Sequence, residues 1–85
     1  MKKYYCLCCG YKTLLEKPPG TFEICEICGW EDDLADGGAN KVSLKDAKVN
    51  FKKLQVSDPN KKNVRRPASN DQRDANWETL YYPGK

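Results

Sequence analysis

The residues best suited to chemistry in this chain are two pairs of thiols, Cys6-x-x-Cys9 and Cys25-x-x-Cys28, separated by fifteen residues. Paired CxxC units at this spacing are how a short chain closes four thiolates around one tetrahedral ion. Each pair runs directly into glycine, as Cys9-Gly10 and Cys28-Gly29. Two thiolates on one ion demand a tight turn with backbone amides directed at sulfur, and glycine accepts the positive φ of such a turn. Both pairs therefore read as metal knuckles. Zinc is the expected ion and iron the alternative, because four thiolates accept either. A redox CxxC belongs at a helix N-terminus in a βαβ setting, which neither pair offers.

A fifth cysteine, Cys8, sits inside the first knuckle. Three readings are open: a spare thiol, a ligand substituting for a neighbour, or a reactive cysteine activated beside the metal. The spare thiol is favoured. Adjacent side chains diverge, so Cys8 and Cys9 should not both reach an ion that Cys6 also holds. A reactive thiol also needs more positive charge than Lys2, Lys3 and Lys12 supply.

The elements that must position these thiols are short. Residues 11–15 and 21–24 are runs of strand formers on either side of Lys17-Pro18-Pro19-Gly20, a turn sequence. A hairpin folded there returns Cys9 and Cys25 to one end, as in a zinc ribbon. Ser43-Leu44-Lys45-Asp46 opens a helix over residues 43–55, with Val42 and Ala47 as its hydrophobic staple. Leu44, Ala47, Phe51 and Leu54 form the face expected to pack on the ribbon. Lys45, Lys48, Lys52 and Lys53 form the face expected to meet solvent. The polar, turn-rich segment beyond residue 55 reads as an extended strap, and Trp77, Leu80 and Tyr81 as a docking helical turn.

The expected architecture is thus a small α+β metal-stabilised domain. A zinc-ribbon, rubredoxin-like β-hairpin carries two CxxC knuckles over residues 1–36, one α-helix follows over 43–55, and an extended, partly helical tail over 56–85 packs on the same single domain. Eighty-five residues bury a modest core, so a metal staple is in keeping with the length. Neither a signal peptide nor a membrane span is evident, which makes a reducing cytoplasm the expected compartment and thiols the expected state of the cysteines.

The acids Glu31-Asp32-Asp33 follow Trp30. Trp30 is expected to cover the metal site. The acids suit a solvated or capping loop, with an acidic face for a partner as the alternative and a second, oxygen-ligated metal as a remote one. Residues 1–42 carry five lysines against seven acids, and residues 43–85 ten basic residues against five acids, or −2 and +5. Four thiolates and one divalent ion together contribute −2 and bring the chain from +3 to +1, a weak signature for nucleic acid.

Cys6-Leu7-Cys8-Cys9-Gly10-Tyr11 and Cys25-Glu26-Ile27-Cys28-Gly29 resemble rubredoxin knuckles, although the pairs lie closer together than in free-standing rubredoxins. A wider resemblance is to the cysteine-rich CPCC proteins of bacteria. It rests on the first knuckle, on Cys25-x-x-Cys28-x-Trp30-Glu31-Asp32-Asp33, on Gly37-Gly38-Ala39-Asn40 and on the helix from Ser43 to Phe51, with Arg66-Pro67 matching a later segment. Leu7 stands where that family has proline, which loosens the knuckle and removes no ligand. The resemblance implies a small metal-binding domain and supplies no activity.

No histidine is present to act as a base, and four cysteine ligands leave no open coordination position, so catalysis is not expected. A protein partner is favoured, with Trp30, Glu31, Asp32, Asp33, Trp77 and Tyr81 as candidate contacts. Nucleic acid is the alternative, through Lys52, Lys53, Lys61, Lys62, Arg65 and Arg66, with Arg73 nearby. Rubredoxin-like electron transfer on iron is a minor alternative. The protein is expected to be a monomer or weak dimer.

Overall fold

A computed structural model of the chain describes residues 3–34, 38–61 and 63–80. Lys62 and Tyr81, two of the candidate contacts above, lie outside the described residues. The elements in order are strand β1 (Tyr4–Tyr5), strand β2 (Lys12–Leu14), helix α1 (Leu44–Leu54) and a 3₁₀ turn over Trp77–Thr79.

The strands pair antiparallel, Tyr4 opposite Leu14 and Tyr5 opposite Lys12, with a register slip between the two pairs. This corrects the hairpin expected from sequence. Residues 11–15 do not pair with 21–24 across Pro18-Pro19-Gly20; β2 folds back on β1 around the first knuckle. The second knuckle has its own arms, in which Cys25 N donates to Trp30 O at 2.9 Å and Ile24 bridges Glu31. The cause is local. Gly10 N closes on Cys6 O and Gly29 N on Cys25 O, both at 2.8 Å. Each CxxC-Gly is therefore a chain reversal in itself. The residues flanking it become nearest neighbours at the lowest loop-closure cost, ahead of partners across the longer proline loop. That loop is closed by a side chain, the Glu23 carboxylate accepting from Leu15 N at 2.8 Å and Glu16 N at 3.1 Å.

The second pair of arms contains a β-bulge. Phe22 N donates to Asp32 O at 2.7 Å while Asp32 N donates to Glu23 O at 2.9 Å, so Phe22 and Glu23 together oppose Asp32. Phe22 has φ 60, the left-handed conformation that glycine normally supplies at the first bulge position. A side chain there costs about 1–2 kcal/mol.

Helix α1 begins as its sequence dictates, Ser43 Oγ accepting from Asp46 N at 3.1 Å, with Lys52 and Lys53 in the last turn. It ends where Gln55 takes φ 66 and its N–H caps Phe51 O. Leu44, Ala47 and Phe51 are buried as expected, but two residues of the helix trade places with the sequence reading. Leu54, the last helical residue before the left-handed cap turns the chain away, is 53% exposed, and Lys48 is only 5% exposed.

All five cysteines join Ile27, Trp30, Leu44, Ala47 and Phe51 in the core, with Tyr5, Tyr11, Val42 and Leu80 packed against it. The chain after α1 then straps the knuckles. Ser57 N donates to Cys28 O at 2.8 Å and Arg65 N to Glu26 O at 2.9 Å, which holds it on the second knuckle. Lys12 N donates to Gln72 O at 2.8 Å, Arg73 bridges Tyr11, and Asp74 N donates to Gly10 O at 2.9 Å, which holds it on the first. Among the described residues, no helix is long and apolar enough to cross a membrane.

Candidate metal centre

The two reversals face each other and bring four thiols together. Cys6 Sγ lies 3.6 Å from Cys28 Sγ, and Cys9 Sγ lies 3.7 Å from Cys25 Sγ. All four sulfurs lie within 4.8 Å of one another. A tetrahedron with metal–sulfur bonds of about 2.3 Å has sulfur–sulfur edges of about 3.8 Å, whereas a disulfide holds its sulfurs about 2.0 Å apart. The cysteines are free thiols at the spacing of metal ligands. The donor set fits a tetrahedral ion, and the close contacts each join one knuckle to the other.

None of the four cysteines is more than 1% exposed. Burial pushes the Cys6 and Cys28 thiols well up, and the shared hydrogen bond with Cys25 does the same to Cys9. Cys25 is the recipient: sulfur donors at Cys28, Cys6 and Cys9 hold it well below the usual thiol range, helped by Thr13 Oγ1 at 3.2 Å. Trp30 N lies 3.5 Å from Cys28 Sγ, an amide directed at sulfur as a knuckle requires.

Cys8 is fully buried and lies outside this group of four. Burial removes the access a reactive thiol needs. Trp30, at 1% exposed, packs among the cysteines as a cover, so its candidacy as a partner contact is corrected. Asp32, also 1% exposed, is corrected likewise, because it is turned inward to accept from Thr21 N at 2.9 Å. Its neighbours fasten the loop. Glu31 exchanges backbone hydrogen bonds with the Asn40 amide at 2.9 and 2.8 Å, and the Asp33 carboxylate accepts from Leu34 N and Ala39 N. The acids form no metal group of their own among the described residues.

Two of the candidate basic residues are engaged in ion pairs. Lys52 pairs with Glu78 at 2.9 Å. Arg65 clasps Asp71 through two hydrogen bonds, at 2.7 and 3.0 Å, and pairs with Glu26, holding the Asp71 carboxyl down to about 2. The Lys61 stem lies over Gly29. Lys53 and Arg66 are exposed.

Two cations that the sequence reading gave no role at the centre stand beside it. Lys48 Nζ donates to Leu7 O at 2.7 Å and to Trp77 O at 2.5 Å. Arg73 Nε donates to Cys9 O at 2.8 Å, and its guanidinium lies 3.9 Å from the Trp77 ring centroid and 4.7 Å from that of Tyr11. Both clamp carbonyls of the first knuckle and bring positive charge toward the four-thiol cluster, which would carry −2 if its thiolates held a divalent ion. The available signal was positional, since Lys48 follows Leu44 by one helical turn. Replacing Lys48 with methionine keeps the stem but removes the ammonium that Leu7 O and Trp77 O accept from, leaving Trp77 O only its bond from Leu80 N; it should cost about 1–3 kcal/mol, read as a lowered denaturant midpoint at unchanged metal stoichiometry.

No curated protein matches the chain. The family model described as Cysteine-rich CPCC matches residues 4–71, a span that begins at β1, includes all five cysteines and α1, and ends at Asp71 where Arg65 closes the strap. Across four-fifths of its length, and through all four thiols of the cluster that could hold a metal, the chain belongs to the cysteine-rich CPCC family.

Proposed function

We propose that this chain is a protein-binding module whose fold is held by one structural zinc ion on Cys6, Cys9, Cys25 and Cys28. The observation that carries the reading is the set of four buried thiols at tetrahedral spacing, each from a knuckle reversal and none more than 1% exposed. When bound, zinc supplies a closed four-coordinate junction between the knuckles. A closed all-cysteine set offers substrate no open position, which supports a structural role over catalysis. The depth of the sulfurs also favours zinc over redox iron, since an electron-transfer centre needs an edge that its partner can approach.

Protein is favoured over nucleic acid because several cations of the second half are engaged internally, Lys48 and Arg73 on knuckle carbonyls, Lys52 on Glu78 and Arg65 on Glu26 and Asp71, which leaves Lys45, Lys53 and Arg66 among the exposed ones. The module operates in the cytoplasm, where its thiols stay reduced. Two measurements test the reading. Affinity capture with the zinc-loaded chain from extract of its own cells should return a discrete protein, while elution from heparin or DNA should come at low salt. Tight retention that falls steeply with salt and is lost when Lys61, Arg65 and Arg66 are neutralised would instead make it a nucleic-acid binder.

A further inference from the structure

Among the described residues, six large apolar side chains are exposed, and four of them lie on the second knuckle's arms and the loop that feeds them. These are Leu15, Phe22, Ile24 and Leu34, at 57, 55, 62 and 70% exposed. Leu34 reaches back to Gly20, where an added Cβ would meet it at 2.5 Å, so the loop and the far arm belong to one end of the molecule.

Phe22 is the informative residue. It holds φ 60 in the first position of the bulge, where glycine or asparagine would sit at lower cost. Its ring is more than half exposed and recovers little of that cost by packing. A strained bulky residue that the isolated fold does not need points to a use on the surface. The surroundings say what kind. The Glu23 carboxylate sits on the amides of Leu15 and Glu16, Glu31 bridges Ile24, and the Asp33 carboxylate accepts from Leu34 N. Each of Leu15, Ile24 and Leu34 thus has an acid at its side, in the half of the chain that carries −2 before the thiolates are counted.

We propose that Phe22, with Leu15, Ile24 and Leu34, docks a segment of a partner protein that presents apolar or aromatic anchors flanked by lysine or arginine. The inference rests on the protein-binding reading above and names its surface. The knuckle beneath holds the bulge rigidly, so little ordering cost accompanies binding, and the acidic rim steers basic flanks toward the apolar anchors.

The test is selection of a random displayed library of 16-residue peptides on the zinc-loaded full chain, followed by fluorescence anisotropy on the peptides enriched. Enriched peptides should combine aromatic or leucine anchors with lysine or arginine. Phe22→Asn, which suits the bulge backbone, should keep its Tm and weaken those peptides at least tenfold, and Ile24→Ser should weaken them without touching the bulge. Enrichment of acidic peptides, or undiminished binding to both variants, overturns this surface and leaves the protein-binding reading standing. Self-association that Phe22→Asn abolishes would make a second copy the occupant and overturns the proposal. Absence of any enriched peptide, together with salt-sensitive oligonucleotide binding, overturns both readings.

Discussion

Chelation of the metal should unfold this protein outright, with loss of the helical circular-dichroism signal and of the protected tryptophan emission. Among the described residues the elements outside the centre are slight: two strands of two and three residues, one helix of eleven and a 3₁₀ turn of three. The core that joins them is built around the cysteines themselves. A structural zinc contributes about 10–16 kcal/mol in comparable small sites, as large as the whole stability of an ordinary domain at about 5–15 kcal/mol. The pH response follows with a definite sign. In the metal-free cluster Cys6, Cys9 and Cys28 are pushed above the usual thiol range and Cys25 below it. Metal must therefore displace protons from the raised thiols, so its affinity falls as pH falls, and acid should release the ion and unfold the chain together. A full fold that survives chelation at neutral pH would sink the structural role.

Gly10→Ala should be the most damaging substitution outside the four ligands. Gly10 has φ 80, and a Cβ placed on it would stand 2.1 Å from the Trp77 Cβ. The backbone conformation alone costs an L-residue about 1–2 kcal/mol, and the overlap adds about 1–3 kcal/mol unless the strap moves. Lifting the strap frees Trp77 from Arg73 and withdraws the carbonyl that Lys48 holds, so relief costs as much as the clash. A fall in Tm of at least about 10 °C is expected for a domain of this size, with a red shift in tryptophan emission. Gly29 supplies the control, because it holds the equivalent turn with φ 84 but faces only the flexible stem of Lys61 at 3.0 Å. Gly29→Ala should lose only the conformational part. Equal losses at the two glycines would show that the strap does not lock the first knuckle.

What could be read from the sequence was whatever is local. The CxxC spacing marked the four thiols that converge, Gly10 and Gly29 announced turns that do take φ 80 and 84, and Ser43 with Asp46 fixed the helix start. Strand partnership was misread because β propensity identifies residues 11–15 and 21–24 as extended but says nothing about which reversal closes first. Lys48 and Asp32 were read as solvent-facing by charge, yet carbonyls from Leu7 and Trp77 bury the one and the Thr21 amide helps bury the other. Those partners lie 11 to 41 residues away, and nothing in a window of sequence around Lys48 points to Leu7 or Trp77. The bulge at Phe22 was hidden for the opposite reason: a bulky aromatic is a residue that a sequence reading does not place at positive φ.

Metal stoichiometry by native mass spectrometry across single cysteine variants tests the centre most directly. Cys8→Ser should retain one zinc per chain, and Cys6→Ser, Cys9→Ser, Cys25→Ser and Cys28→Ser should each lose it, with loss of fold. Retention of zinc by Cys9→Ser together with its loss from Cys8→Ser would contradict the assignment of the four thiols.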